Sequence, residues 1–271
     1  MINEIYPHKY DNSFKDISPK VGDTLLCYRD NLILMKRSFN YLALPLFEKI
    51  IPARHVFNID DKRYFIACEE DLYLLDDSYD WVNVSALRTL ENSLDAYAGV
   101  CGKHYNYFFT HAKHCGCCGE RMVPSNIELA NICPKCANIK YPDIMPAIAV
   151  AIIDGDEIVL TKYSNRPTTY YALVAGYTEI GETLEECVKR EALEEVGLEL
   201  YDIKYYNSQP WGFSNTIMVG FTAKSYNKDI KLDTNELKEA MWVKRENIEE
   251  LQNPSSMSHQ MIMDFKNNII K

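Results

Sequence analysis

Apolar positions over residues 184–196 recur at intervals of three and four. Leu184, Cys187 and Val188 share one face of a helix that turns about 100° per residue. Continued by the same steps, that face reaches Glu191 and Glu195, with Glu194 at its edge. A core stripe therefore becomes a stripe of carboxylates that still points inward. The solvated face lies opposite, at Glu185 and Lys189. Thr183 with Glu186 three residues on makes a capping-box pattern, and Gly197 supplies the stop, so a helix is expected over 184–196. Glu186, Arg190 and Glu194 follow one another at i, i+4 along a flank, which lets Arg190 pair with both.

Around this helix the pattern is that of strands. Residues 146–153 form an apolar run ended by Asp154-Gly155-Asp156, with 158–161 as its hairpin partner. Residues 170–175, 201–208, 216–224 and 239–244 read as further strands, and 247–251 and 257–268 as short helices. Upstream, 24–28 and 32–35 flank a polar Arg29-Asp30-Asn31 turn as a hairpin. Residues 55–59, 64–68 and 72–75 read as short strands, 84–90 as the opening of a helix and 93–111 as a longer helix. Residues 1–20 carry little periodicity. The expected class is α+β in three parts: a small α+β domain over 1–110, a cysteine-rich segment over 111–142 and a catalytic domain over 143–271.

The chain of 271 residues is 47% apolar, ample for such cores, and no segment is apolar enough to span a membrane. The opening MINEIYPHKYDNSFK has no apolar stretch, so no secretory leader is expected. A net charge of -10 argues against non-specific nucleic-acid binding, which depends on cationic surface. Nine cysteines without a leader point to a reducing, cytoplasmic setting and to metal binding over disulfides. Cys27, Cys68 and Cys101 lie among apolar residues and are expected to be buried, inert thiols. His8 and His55 read as surface or core residues.

Cys115 and Cys118 form one CxxC, and Cys133 and Cys136, after a gap that suits a zinc ribbon, form a second. Each CxxC turn aims two thiolates at one ion. Four thiolates leave no open position, so one Zn²⁺ held there is structural; a redox pair or bare thiols are the alternatives. Cys117 breaks the spacing and is expected to be the free fifth thiol, although exchange with a neighbour is open. The segment between the knuckles carries one Arg and no basic stripe, which favours an architectural role over nucleic-acid binding.

Inward carboxylates at i, i+3 and i+4 repel one another unless a cation sits among them. Mg²⁺ or Mn²⁺ answers that need, since both take oxygen ligands and bridge to phosphates. A glutamate-rich amphipathic helix is the plainer reading of the EEVG segment alone. The whole stretch, Gly176 through Glu182, Arg190-Glu191, Glu194-Glu195 and Gly197-Leu198, resembles the Nudix box without a gap. Ser208-Gln209-Pro210-Trp211 after the box and the cysteine ribbon before it resemble the two marks of the NADH pyrophosphatase family. The resemblance covers the chain and implies an N-terminal α+β domain, a four-cysteine zinc ribbon and a Nudix α/β/α sandwich. It implies hydrolysis of the pyrophosphate of NADH or NAD, and extends to the NAD cap of RNA.

The resemblance implies roles for single residues. Glu191, Glu195 and Glu236 hold the catalytic Mg²⁺ or Mn²⁺, Glu194 completes the shell or takes a proton, and Arg190 belongs to the catalytic set. Gln209, Pro210, Trp211, Gly212, Phe213, Ser214, Asn215 and Thr216 form a loop that covers the substrate. Ala175 contributes a backbone contact and Ser258, Glu128 and Arg88 further contacts. Tyr177 and Tyr141 stack on a base, the second from a partner subunit, which implies a homodimer. Gly212 and Ser214 replace two prolines of the family pattern, which predicts a looser loop. Three other readings stand beside this one: a Nudix hydrolase of ADP-ribose or another dinucleotide, a non-catalytic nucleotide-binding regulator, and a zinc-ribbon nucleic-acid module.

Overall fold

The computed structural model describes residues 1–38, 41–69, 72, 78–164, 171–250 and 255–271. The chain forms two compact units. One comprises residues 2–144 together with Trp211–Asn215; the other comprises Met1, Met145–Pro210 and Thr216–Lys271.

The first unit contains β1 (Tyr10–Asp11), β2 (Thr24–Leu26), β3 (Tyr28–Arg29), β4 (Leu32–Ser38), β5 (Tyr41–Ala43), β6 (Arg54–Ile59), β7 (Lys62–Ile66), β8 (Tyr79–Asn83) and α1 (Ser93–His111). Three two-residue strands follow, β9 (Val123–Pro124), β10 (Asn131–Ile132) and β11 (Ile139–Lys140). Helix α1 has the expected bounds because Asn92 caps the amides of Leu94 and Asp95 at its start. The hairpin expected over 24–35 is divided. Only Tyr28 and Arg29 pair with Ile33 and Leu32, while Thr24–Leu26 run parallel to Tyr64–Ile66. The second pairing places Leu26 and Tyr64 in the core that Phe57 and Ile33 also fill. The helix expected over 84–90 is a 3-10 helix, Val84–Thr89. Cys27 is buried as expected, but Cys68 is exposed, because it follows the last paired residue of β7. The expected strand over 72–75 lies outside the described residues beyond Leu72.

The second unit is built on β12 (Met145–Asp154), β13 (Glu157–Tyr163), β14 (Val174–Tyr177), α2 (Leu184–Val196), β15 (Leu200–Trp211), β16 (Thr216–Ser225), β17 (Leu237–Lys244) and α3 (Met257–Lys266). The sheet order is β15-β16-β12-β13-β17, with β14 also paired to β12. Strand β12 is apolar on both faces because both are covered. Ile148, Val150 and Ile152 pack with Cys187, Val188, Ala192 and Val196 of α2. The alternate residues Ala149, Ala151 and Ile153 pack with Met257, Met261, Ile262 and Phe265 of α3. The result is the expected α/β/α sandwich. The strand expected over 170–175 begins outside the described residues and is found at Val174–Tyr177. The helix expected over 247–251 is reduced to one 3-10 turn, Arg245–Asn247; residue 251 lies outside the described residues. No helix among the described residues is long and apolar enough to cross a membrane.

Candidate active site

Helix α2 is fixed at both ends by local chemistry. The Thr183 hydroxyl accepts from the Glu186 amide at 3.2 Å, and the Glu186 carboxylate accepts from the Thr183 amide at 2.8 Å. Gly197 takes the left-handed conformation, φ 69°, that closes the helix. Glu186 is thereby occupied and does not pair with Arg190, contrary to the i, i+4 expectation. Arg190 turns instead to Glu182, 2.6 Å, to Glu191, 2.8 Å, and to Glu194, 3.0 Å, and donates to the Tyr177 carbonyl at 2.9 Å. One guanidinium thus ties the start of the box, the helix and β14 together, using the planar fork that only arginine offers.

Helical spacing places Glu195 inward, 3% exposed, while the Glu194 side chain stays 57% exposed. Gly176 faces Glu191 so closely that a Cβ built there would fall within the Glu191 carboxylate. The glycine of the box is therefore a space requirement of its second glutamate. Lys231 and Asp233 donate their amides to the Val196 and Glu195 carbonyls, which docks the 231–236 turn on the end of α2. The outcome is a cleft of about 540 Å³ lined by the carboxylates of Glu179, Glu191, Glu194, Glu195, Asp233 and Glu236, with Arg190, Tyr163, Thr178 and residues 175–177. Burial pushes the Glu191 carboxyl above its ordinary pKa; Arg190 opposes this, and the Glu194 and Glu236 charges add to it. Hydrogen bonds from Arg190 hold Glu182 down to about 2. All the anionic donors are oxygen, the chemistry that hard divalent cations take.

The ribbon lies in the first unit and contrasts with this cleft. The Sγ atoms of Cys115, Cys118, Cys133 and Cys136 all lie within 4.8 Å of one another. The Cys115–Cys136, Cys118–Cys133 and Cys118–Cys136 separations are 3.6, 3.5 and 3.5 Å. Tetrahedral zinc with bonds near 2.3 Å needs edges of about 3.8 Å, so the thiols fit the ion. The two knuckles are alike: Gly119 donates to the Cys115 carbonyl and Ala137 to the Cys133 carbonyl, both at 2.9 Å, and both residues are left-handed. Cys117 is exposed and outside the cluster; its amide donates to Cys115 Sγ at 3.4 Å.

The NUDIX domain family matches residues 143–262. The NAD-capped RNA hydrolase NudC of Escherichia coli O157:H7 is 36% identical over 186 residues, 69% of this chain and 72% of the relative. The chain belongs to the NADH pyrophosphatase family of Nudix hydrolases. The NudC of Pectobacterium atrosepticum is 38% identical over 157 residues, 58% of this chain and 60% of that protein. The match spans about 60% of the length of several such relatives. A Nudix hydrolase of Nitrosomonas europaea, a solved structure, is 21% identical with a TM-score of 0.48 and covers 58% of this chain and 92% of that one. Nudix hydrolases use divalent metals, and both donor sets of this one suit metal ions.

The remaining candidate residues of this Nudix hydrolase fall in both units. In the sandwich unit, Tyr177 is 51% exposed beside Gly176, with its hydroxyl 3.4 Å from Thr216 Oγ1. Ala175 lines the cleft. The Ser208-Gln209-Pro210-Trp211 segment is the end of β15 and not a loop; the turn is confined to 212–215. Gln209 is fully buried, donating to the Ser255 carbonyl at 3.0 Å and accepting from the Met257 amide at 2.7 Å, so it holds the start of α3, which carries Ser258. Pro210 is exposed. In the other unit, Trp211 and Phe213 pack on the core around Phe57, with the Arg88 guanidinium over the Trp211 ring at 5.5 Å. A Cβ on Gly212 would meet the Val100 carbonyl, so glycine here permits close packing and is not slack, contrary to the looser loop expected. Ser214 and Asn215 close the turn, Asn215 at φ 57°. Tyr141 is 52% exposed and donates to Glu128 at 3.1 Å.

Asp233 and Tyr163, to which the pattern gave no role, also line the cleft, and Glu182 braces it through Arg190. Asp233 was within reach, since it opens the acidic turn that ends in Glu236. Glu182 stood in the box, but its place as the Arg190 partner depends on a contact across eight residues. Tyr163 had no local signal.

Proposed function

We propose that this chain hydrolyses the pyrophosphate bond of NADH or NAD, giving AMP and nicotinamide mononucleotide (reduced from NADH), and removes NAD caps from RNA 5′ ends. The carboxylate cleft around Arg190 carries this reading, and the similarity to NAD-capped RNA hydrolases supports it. Glu191, Glu195 and Glu236 hold Mg²⁺ or Mn²⁺. Such cations, when bound, would supply charge neutralisation to the diphosphate and a lowered pKa to the attacking water. Glu194, the outermost of the three box carboxylates, accepts the proton as water adds to phosphorus and the bridging oxygen leaves. Arg190 keeps Glu191 and Glu194 apart and oriented, a positioning task. The exposed ring of Tyr177 receives a base, with stacking worth about 1–3 kcal/mol. Tyr141, equally exposed, serves the same end from the partner subunit of a homodimer, and the family pattern gives Ala175, Glu128, Arg88, Ser258 and the 209–216 segment further substrate contacts. The four thiols hold a structural Zn²⁺. A reducing cytoplasm is the setting such thiolate ligands need.

The test is product separation after incubation with NADH, NAD, ADP-ribose and NAD-capped RNA in Mg²⁺ or Mn²⁺, with Glu195→Gln alongside. AMP and nicotinamide mononucleotide, absent from the variant, are expected. Faster turnover of ADP-ribose would move the substrate assignment, and no turnover of any substrate would end the hydrolase reading.

A further inference from the structure

The register between β13 and β17 is regular from Glu157–Lys244 to Lys162–Glu239, then skips Lys238 so that Tyr163 faces Leu237. Bulges of this kind next to active sites re-aim side chains. Here the bulge has two effects. It brings the Glu236 carbonyl onto the Ser164 amide at 2.9 Å, and it leaves Tyr163 on the α2 side of the sheet, in the wall of the cleft. The Tyr163 hydroxyl lies 3.3 Å from the Ala175 carbonyl and 3.5 Å from Glu195 Oε1. Its single proton is shared between two acceptors, both in the cleft.

We infer that Tyr163 is a positioning residue for the metal-binding carboxylate of Glu195; this rests on the metal-site reading above. Glu195 is buried and ionisable, and Arg190 is committed to Glu182, Glu191 and Glu194. A carboxylate offers about four acceptor positions. A donor from a rigid phenol takes one of them and restrains its rotation. Since the same hydroxyl reaches Ala175, α2 and β14 are held in one geometry by an atom of the sheet. Ser164 does the equivalent for Glu236 through the backbone, so the bulge sets the spacing of two ligands that come from different elements.

Tyr163→Phe removes only the hydroxyl. Mn²⁺ binding, followed by EPR of the free ion without substrate, is expected to weaken about tenfold, as for other outer-shell partners of metal ligands. The Mn²⁺ concentration for half-maximal turnover should rise in step, by a larger factor than any change in kcat at saturating Mn²⁺. Tyr171→Phe, the same change at a hydroxyl that faces Met241 and Lys162 and lies outside the cleft lining, is expected to leave Mn²⁺ binding unaltered. Glu195→Gln is the benchmark. If it weakens Mn²⁺ binding and Tyr163→Phe does not, the inference is overturned and the metal site stands. If neither variant weakens binding, the metal-site assignment itself fails and takes the inference with it.

Discussion

The molecule has two metal-suited donor sets, built on opposite plans. In the ribbon, four soft thiols lie within 4.8 Å of one another, on two turns of the same design. In the cleft, hard carboxylates arrive from a helix, a turn after it and the loop before it, and a guanidinium keeps some of them apart. A closed tetrahedron has no room for substrate and can only stabilise. An open set of carboxylates is unstable by itself and gains a purpose when cations and a diphosphate enter it. On the proposed reading, proximity of donors marks the structural site and incomplete closure marks the reactive one.

The sharpest separation between the two is expected from Glu195→Gln. It should lower kcat on the order of 10³-fold, by analogy with loss of one charge-stabilising group, while zinc content and the melting temperature stay unchanged. Cys133→Ser should do the reverse. Zinc, measured by atomic absorption, should fall from one per chain to none and the first unit should melt at lower temperature, whereas Cys117→Ser should retain the zinc. Retention of zinc by Cys133→Ser would mean that Cys117 can substitute, and the closed-site view would need revision.

Smaller effects probe how the cleft is held. Gly176→Ala puts a methyl where the Glu191 carboxylate lies, so overpacking should cost about 1–3 kcal/mol in denaturant melts and weaken Mn²⁺ binding. The smallest expected effect is on pH dependence. The Glu182 carboxyl is lowered from 4.5 to about 2 by Arg190, so its contribution to stability is complete above the unfolded value and is lost as pH falls from 4.5 toward about 2. Glu182→Gln should flatten the melting temperature against pH across that window. An unchanged slope would show that the Glu182–Arg190 pair adds nothing to the fold.

Much of this design was written in short stretches. The bounds of α1 and α2 follow from caps and periodicity within a few residues, and both match. Two CxxC turns identify the ribbon ligands because each turn is a local structure. The errors have one physical source. Glu186 lies within local reach of both Arg190 and Thr183, and the capping box takes it, leaving Arg190 to a partner eight residues away. The 24–28 segment alternates like a hairpin arm, yet a strand forty residues away takes its first half. Ser208–Trp211 carries turn residues, but pairing within the sheet extends β15 through it.

Helix limits, metal chemistry and family were thus present in the chain as it is written, since capping, periodicity and ligand spacing act over a few neighbouring residues. The cleft itself was not. Tyr163, Glu195 and Glu236 are separated by 32 and 41 positions, and they meet through a skipped register and a docked turn. Sheet register is settled by burial over many strands at once, so the positions it brings together carry no mark of their own.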